Sequence, residues 1–321
     1  KNRVEEMAPI IFRRGERVVE WNGQKILNTT NIKPIEAADS GAKKNWPFLY
    51  KLMTHMFVDD PQSSLPSVFT FWAWHKRFYE AILNSRLDQG HTMVLCGPSK
   101  RGKTLLSTMV VAHSVGGFAD GSDYLSGQTK FNKEMGRTAC WVIDDTTSAS
   151  NRQEQMRLTE MLKRSTANPR MDLMPKYGDA ISIPWAGRAM LSLNDDPNSM
   201  SVIPNLDSSN RDKIIAFRIN PTPFDFPDRK ILEATIKKEL PYYLAFLKGF
   251  KIPDEIKGDD RFGVKSFIDP TLSDAAYDSS TRARAAEILD MFSQELRATA
   301  PNKKEWRGTF YKLSQDVKTY V

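Results

Sequence analysis

The chain has 321 residues, 40% of them apolar and 26% charged, with a formal net charge of +7 and a pI of about 9.2. That length supports about two domains with a sizeable core, and no apolar run approaches the roughly 20 residues of a membrane span, so no membrane partner is expected. Lys and Arg are spread along the chain, so the charge favours a polyanionic partner without marking a patch for it.

The first residues, Lys1-Asn2-Arg3-Val4-Glu5-Glu6, form no signal peptide and lack an initiating Met. They read as part of a longer polypeptide in a cytoplasm, the host's if the source is viral. Residues 1 to about 45 mix strand-like pieces, Ile10-Ile11-Phe12 and Arg17-Val18-Val19-Glu20-Trp21, with turn residues. From Trp46 the pattern is helical, because Phe48, Leu49, Leu52, Met53 and Met56 recur mainly at three- and four-residue spacing. Asp59-Asp60-Pro61 ends that helix. A second helix carries Phe69, Phe71, Trp72, Trp74, Phe78, Ala81 and Ile82, an aromatic stripe read as core packing.

Met93-Val94-Leu95-Cys96 reads as a buried strand, and Leu105 to Ala112 as the first turns of a helix. Between them, Gly97-Pro98-Ser99-Lys100-Arg101-Gly102-Lys103-Thr104 fits the phosphate-binding pattern G-x-x-x-x-G-K-[ST] without a mismatch. In that context the glycines let backbone N–H groups turn toward phosphates at a helix N-terminus. Lys103 is expected to reach the β- and γ-phosphates of ATP or another NTP, and the Thr104 hydroxyl to ligate Mg²⁺.

A second apolar run, Thr138 to Ile143, ends in Asp144-Asp145, 41 residues after Lys103. Acids outside the carboxyl end of a strand can hold a metal shell and orient water. Asp144 is assigned to Mg²⁺ and Asp145 to the position of the base, although many ATPases carry Glu there. Met171 to Ile183 reads as two short strands about a turn containing Lys176 and Tyr177. The strand Ala189 to Leu193 ends at Asn194, which reads equally as a sensor of the γ-phosphate and as an ordinary turn residue. Arg211 precedes the strand at 213–219. It is an arginine-finger candidate, but local sequence favours a surface arginine paired with Asp212 or another acid.

The alternation of runs at 92–96, 138–143, 189–193 and 213–219 predicts an α/β domain on a mainly parallel sheet. Residues 228–250, 281–298 and Trp306 to Val321 are helical by periodicity. Three parts follow: an N-terminal region with a helical lead-in (1–90), an ATPase core (91–220) and a helical C-terminal domain (221–321), with winged-helix as one form for the last. Cys96 and Cys140 lie in apolar runs and are expected to be buried reduced thiols. His55, His75, His91 and His113 have no metal-ligand spacing, so no zinc site is expected.

Phosphate loop, acidic pair, Asn and Arg, in that order within 93–219, resemble the superfamily 3 helicases of viruses and plasmids. The likeness extends to phage primase-helicase and primase-polymerase proteins of the NrS-1 kind. It implies an AAA+ P-loop NTPase core and a hexameric homo-oligomer that translocates 3′ to 5′ on single-stranded DNA at a replication fork. It also implies that the 171–183 hairpin enters a central channel, with Lys176 binding a phosphate and Tyr177 stacking a base. A P-loop kinase and an AAA+ ATPase that remodels protein or packages DNA are the alternatives.

Overall fold

The computed structural model describes residues 4, 6–125, 127–144, 152–177, 179–196, 211–278, 281–299 and 306–320. Near the N-terminus, β1 (Glu6–Ala8), β2 (Val18–Trp21) and β3 (Gln24–Asn28) make a small sheet in the order β1-β3-β2. The Ile10-Ile11-Phe12 run is not a strand; Ile11–Arg13 is a 3₁₀ turn. Asn28 is the reason: its side chain accepts from the Ile10 N–H (2.9 Å) and donates to the Ile10 carbonyl (3.0 Å). Those backbone groups therefore need no ladder.

Helix α1 (Pro47–Met56) starts on a proline, whose missing N–H is no loss there. Two other first-turn donors, the N–H groups of Phe48 and Leu49, find the carboxylate of Glu239 at 3.3 and 2.9 Å. Helix α2 (Ser67–Leu83) buries Phe71, Trp72, Trp74 and Phe78, as its aromatic stripe predicts. The long helix α6 (Arg229–Gly249) carries Glu239 and packs on both. His75 of α2 joins Tyr243 of α6 and Ser114 through bonds of 2.9 Å each. Burial lowers the pKa of this imidazole to about 3.

The main sheet has five strands, all parallel: β4 (Thr92–Cys96), β5 (Phe118–Asp120), β6 (Cys140–Asp144), β9 (Arg188–Leu193) and β10 (Ile214–Arg218). Their order is β10-β4-β9-β6-β5. Both faces of β4 and β9 are buried along their full length, in keeping with their mainly apolar sequences; Thr92, Arg188 and Ser192 are the polar side chains buried with them. Helix α3 opens at Lys103–Leu105 and continues with π-type bonding over Leu106–Ala112. Helix α4 (Ser122–Leu125) follows β5, and α5 (Arg152–Ala167) follows β6. A separate antiparallel pair, β7 (Arg170–Leu173) and β8 (Ile181–Pro184), forms the expected hairpin.

The result is an α/β protein with a P-loop NTPase-like core, in which one continuous hydrophobic cluster runs from Ala8 to Leu272. After α6 the described residues form helices at Pro270–Asp278, Thr281–Thr299 and Phe310–Tyr320. Backbone pairing in this part is confined to isolated bridges at Lys257–Val264 and Ala216–Ile268, so the strand pair of a winged helix is absent from the described residues. No helix among the described residues is long and apolar enough to cross a membrane.

Candidate functional site

Because the five strands are parallel, their carboxyl ends share one edge of the sheet, where α/β proteins hold ligands. Strand β9 lies between β4 and β6, an arrangement the linear motif order does not reveal. It brings the phosphate loop after β4, Asn194 after β9 and Asp144 at the end of β6 side by side.

The Lys103 side chain is 7% exposed, and its ammonium donates to the carbonyls of Gly97 (2.7 Å) and Pro98 (2.8 Å). The Asn194 amide oxygen is 3.4 Å from the same nitrogen. Next along α3, the exposed Thr104 hydroxyl is 2.9 and 2.8 Å from the two Asp144 carboxylate oxygens. The lysine is thus withdrawn among oxygens while the hydroxyl–carboxylate pair faces solvent.

The loop itself is held open by its backbone. Gly102 has φ +86°, and Lys100 has φ +60°, a left-handed conformation that costs a non-glycine residue about 1–2 kcal/mol. Such strain persists where surrounding contacts enforce it, and it clusters at ligand sites. Gly97 N–H donates to Leu193 O (3.1 Å), and Arg101 Nε to Pro221 O (2.8 Å), tying the loop to β9 and to the segment after β10. A Cβ at Gly97 would lie 2.9 Å from Ile219, so only glycine passes there. Just below, burial pushes the Cys96 thiol up to about 11, with Asp195 acting in the same direction. Burial raises Cys140 to about 12; both thiols are free and buried.

Met56 and Phe226 flank Gly102, 3.7 and 3.0 Å from where its Cβ would be. Motif reading passes over both as site residues, since each lies far away in the chain and Met56 counts there only toward a helical pattern. Arg211 is not brought to this edge. It opens the 3₁₀ turn Arg211–Lys213, and the following Ile214 pairs with Thr92, at the amino end of β4. Asp212, its expected partner, pairs instead with Lys213 at 2.8 Å. Asp145 lies outside the described residues.

Lys176 and Tyr177 occupy the hairpin loop beyond the last ladder pair, Leu173–Ile181. Tyr177 is 84% exposed, with the Lys176 ammonium 6.0 Å from its ring centre. The hairpin is rooted at the amino-terminal edge of the sheet, because Pro184 ends β8 just before Arg188 begins β9.

Comparison with known proteins adds to this geometry. The fold is similar to two apo structures of the NrS-1 C-terminal region. One aligns with TM-score 0.60 and 14% identity over 98% of this chain and 71% of that one; the other with 0.59 and 12% over 96% and 70%. At that identity the likeness concerns the fold. JCV helicase aligns at TM-score 0.38 and 16% identity over 71% of this chain and 60% of that one, too slight a likeness to bear on either fold or function. No protein-family model and no curated protein sequence matches the chain.

Proposed function

We propose that this chain is the NTP-hydrolysing motor of a replicative DNA helicase, working as a homo-oligomeric ring on single-stranded DNA. The observation that carries the reading is the convergence of Lys103, Thr104, Asp144 and Asn194 from three adjacent strand ends. Lys103 and the loop N–H groups would neutralise the β- and γ-phosphates. The Asn194 amide would donate to the γ-phosphate and accept from the attacking water, and Asp145 would take the base position.

Thr104 Oγ1 and the Asp144 carboxylate suit Mg²⁺, a hard cation that takes one or two protein oxygens and keeps the rest of its shell for water and phosphate. Bound there, it would neutralise charge on the transferred phosphoryl group. Arg211, at the far edge of its own sheet, would serve the site of a neighbouring subunit. The exposed lysine and tyrosine of the hairpin loop suit a single strand, one as a phosphate contact and the other as a stacking platform.

NTP hydrolysis measured with and without single-stranded DNA, together with strand displacement on a forked duplex, tests this reading. DNA-stimulated hydrolysis with displacement is expected. A kinase would transfer phosphate to an acceptor regardless of DNA, and a remodelling or packaging ATPase would hydrolyse without displacing a strand.

A further inference from the structure

A two-stranded ribbon is marginal in water by itself, and among the described residues β7–β8 is joined in a ladder to no other strand. Its aim must therefore come from contacts at its side. One residue supplies three. The Asn132 side chain accepts from the Met174 N–H (2.6 Å) and donates to the Asp172 carbonyl (3.0 Å), and the Asn132 N–H donates to the Met174 carbonyl (3.1 Å). These bonds grip the end of β7 just before Lys176 and Tyr177. They also fix the amide orientation, since the oxygen meets a donor and the NH₂ an acceptor.

Asn132 is 1% exposed, although its neighbours Phe131 and Lys133 face solvent. Its carbonyl accepts from Met135 and Gly136 (3.0 and 3.3 Å), starting the turn that leads into β6. Gly136 lies against Leu173 of the hairpin, and the Met135 carbonyl accepts from Trp141 Nε1 (3.1 Å) within β6. A continuous set of contacts thus joins the hairpin tip to the strand that ends in Asp144.

We propose that Asn132 is a positioning residue. It locks the Lys176–Tyr177 tip to β6, so that the nucleotide site and the DNA contact move together. The inference rests on the helicase reading of the hairpin.

Asn132→Ala, Lys176→Ala and the double variant are compared for basal NTP hydrolysis, its stimulation by oligo-dT, and strands displaced per NTP. Asn132→Ala should keep basal hydrolysis and lose about five- to tenfold in stimulation and displacement, within the usual range of coupling between sites. The double variant should match Lys176→Ala, because both act through one tip. Normal stimulation of Asn132→Ala, or additive losses in the double variant, overturns the proposal. Should Asn132→Ala fail to fold, Asn132→Asp carries the same test, keeping the acceptor for Met174 and losing the donor to Asp172. Wild-type protein indifferent to oligo-dT would refute the helicase reading instead. Faster amide exchange over 172–174 in the variant would still establish the lock, and unchanged exchange would remove it.

Discussion

Arg211→Ala mixed with Lys103→Ala tests the proposed ring most directly. Strand β4 runs from Thr92 to Cys96 beside Ile214 to Arg218, and four steps of about 3.3 Å separate its ends by about 13 Å. Arg211 lies three residues before Ile214, at the edge opposite Lys103. It can therefore act on a γ-phosphate only in another subunit. Loss of such a finger costs on the order of 10³–10⁵ in rate, so Arg211→Ala should bind nucleotide yet be nearly inactive, as Lys103→Ala should be. In an equimolar mixture half the subunits carry an intact loop and half an intact finger. Head-to-tail contacts then pair intact with intact at about one quarter of interfaces, whatever the ring size. Steady-state ATPase activity of the mixture should recover to about that fraction of wild type. A mixture as inactive as either parent, while native mass spectrometry shows mixed oligomers, would refute action between subunits.

Lys103→Ala alone removes the ammonium held by the Gly97 and Pro98 carbonyls. NTP hydrolysis should fall by at least about 10², with helix content by circular dichroism unchanged; substantial turnover in the folded variant would remove the assignment. Lys176→Ala should lower the salt slope of single-strand affinity by about 0.7, and Tyr177→Ala should cost about 1–3 kcal/mol per stacked base. Fluorescence anisotropy across a salt series reads both, and unchanged binding in both variants refutes the hairpin as a DNA contact. His75 and His91 are held neutral by burial, at about 3 and about 4 against an ordinary 6.5. The unfolded chain binds the protons that the fold refuses, so this stability is whole above pH 6.5 and falls as pH drops toward 4. At pH 5 the loss is about 2 kcal/mol for each imidazole, which a lower urea midpoint at pH 5 than at pH 7 would report and an unchanged midpoint would contradict.

What sequence reveals here tracks how local the cause is. The phosphate loop, the strand before it and the long helices declare themselves, because periodicity and glycine placement act over a few residues. β5 is silent: Phe118–Asp120 is only three residues long, on the sheet edge, and its outer two are exposed. The failure at Ile10-Ile11-Phe12 has a cause 18 residues away, in the side chain of Asn28. Chain order gives Asn194 as a strand terminus but not that β9 enters between β4 and β6. It gives Arg211 as the start of a strand but not that this start faces away from Lys103. Asn132 looks like any polar residue in a loop, since its partners lie 40 and 42 residues downstream.

The carboxylate that caps α1 comes from Glu239, 190 residues later than the Leu49 it bonds. On the ribosome the first turn of α1 must wait for that carboxylate. At about 5–20 residues per second the delay is on the order of 10–40 seconds, during which the aromatic face of α2 also lacks its cover from α6. The nascent chain therefore exposes this patch of tryptophan and phenylalanine throughout that interval. The site's lead-in closes only once the polypeptide has passed the far side of the sheet.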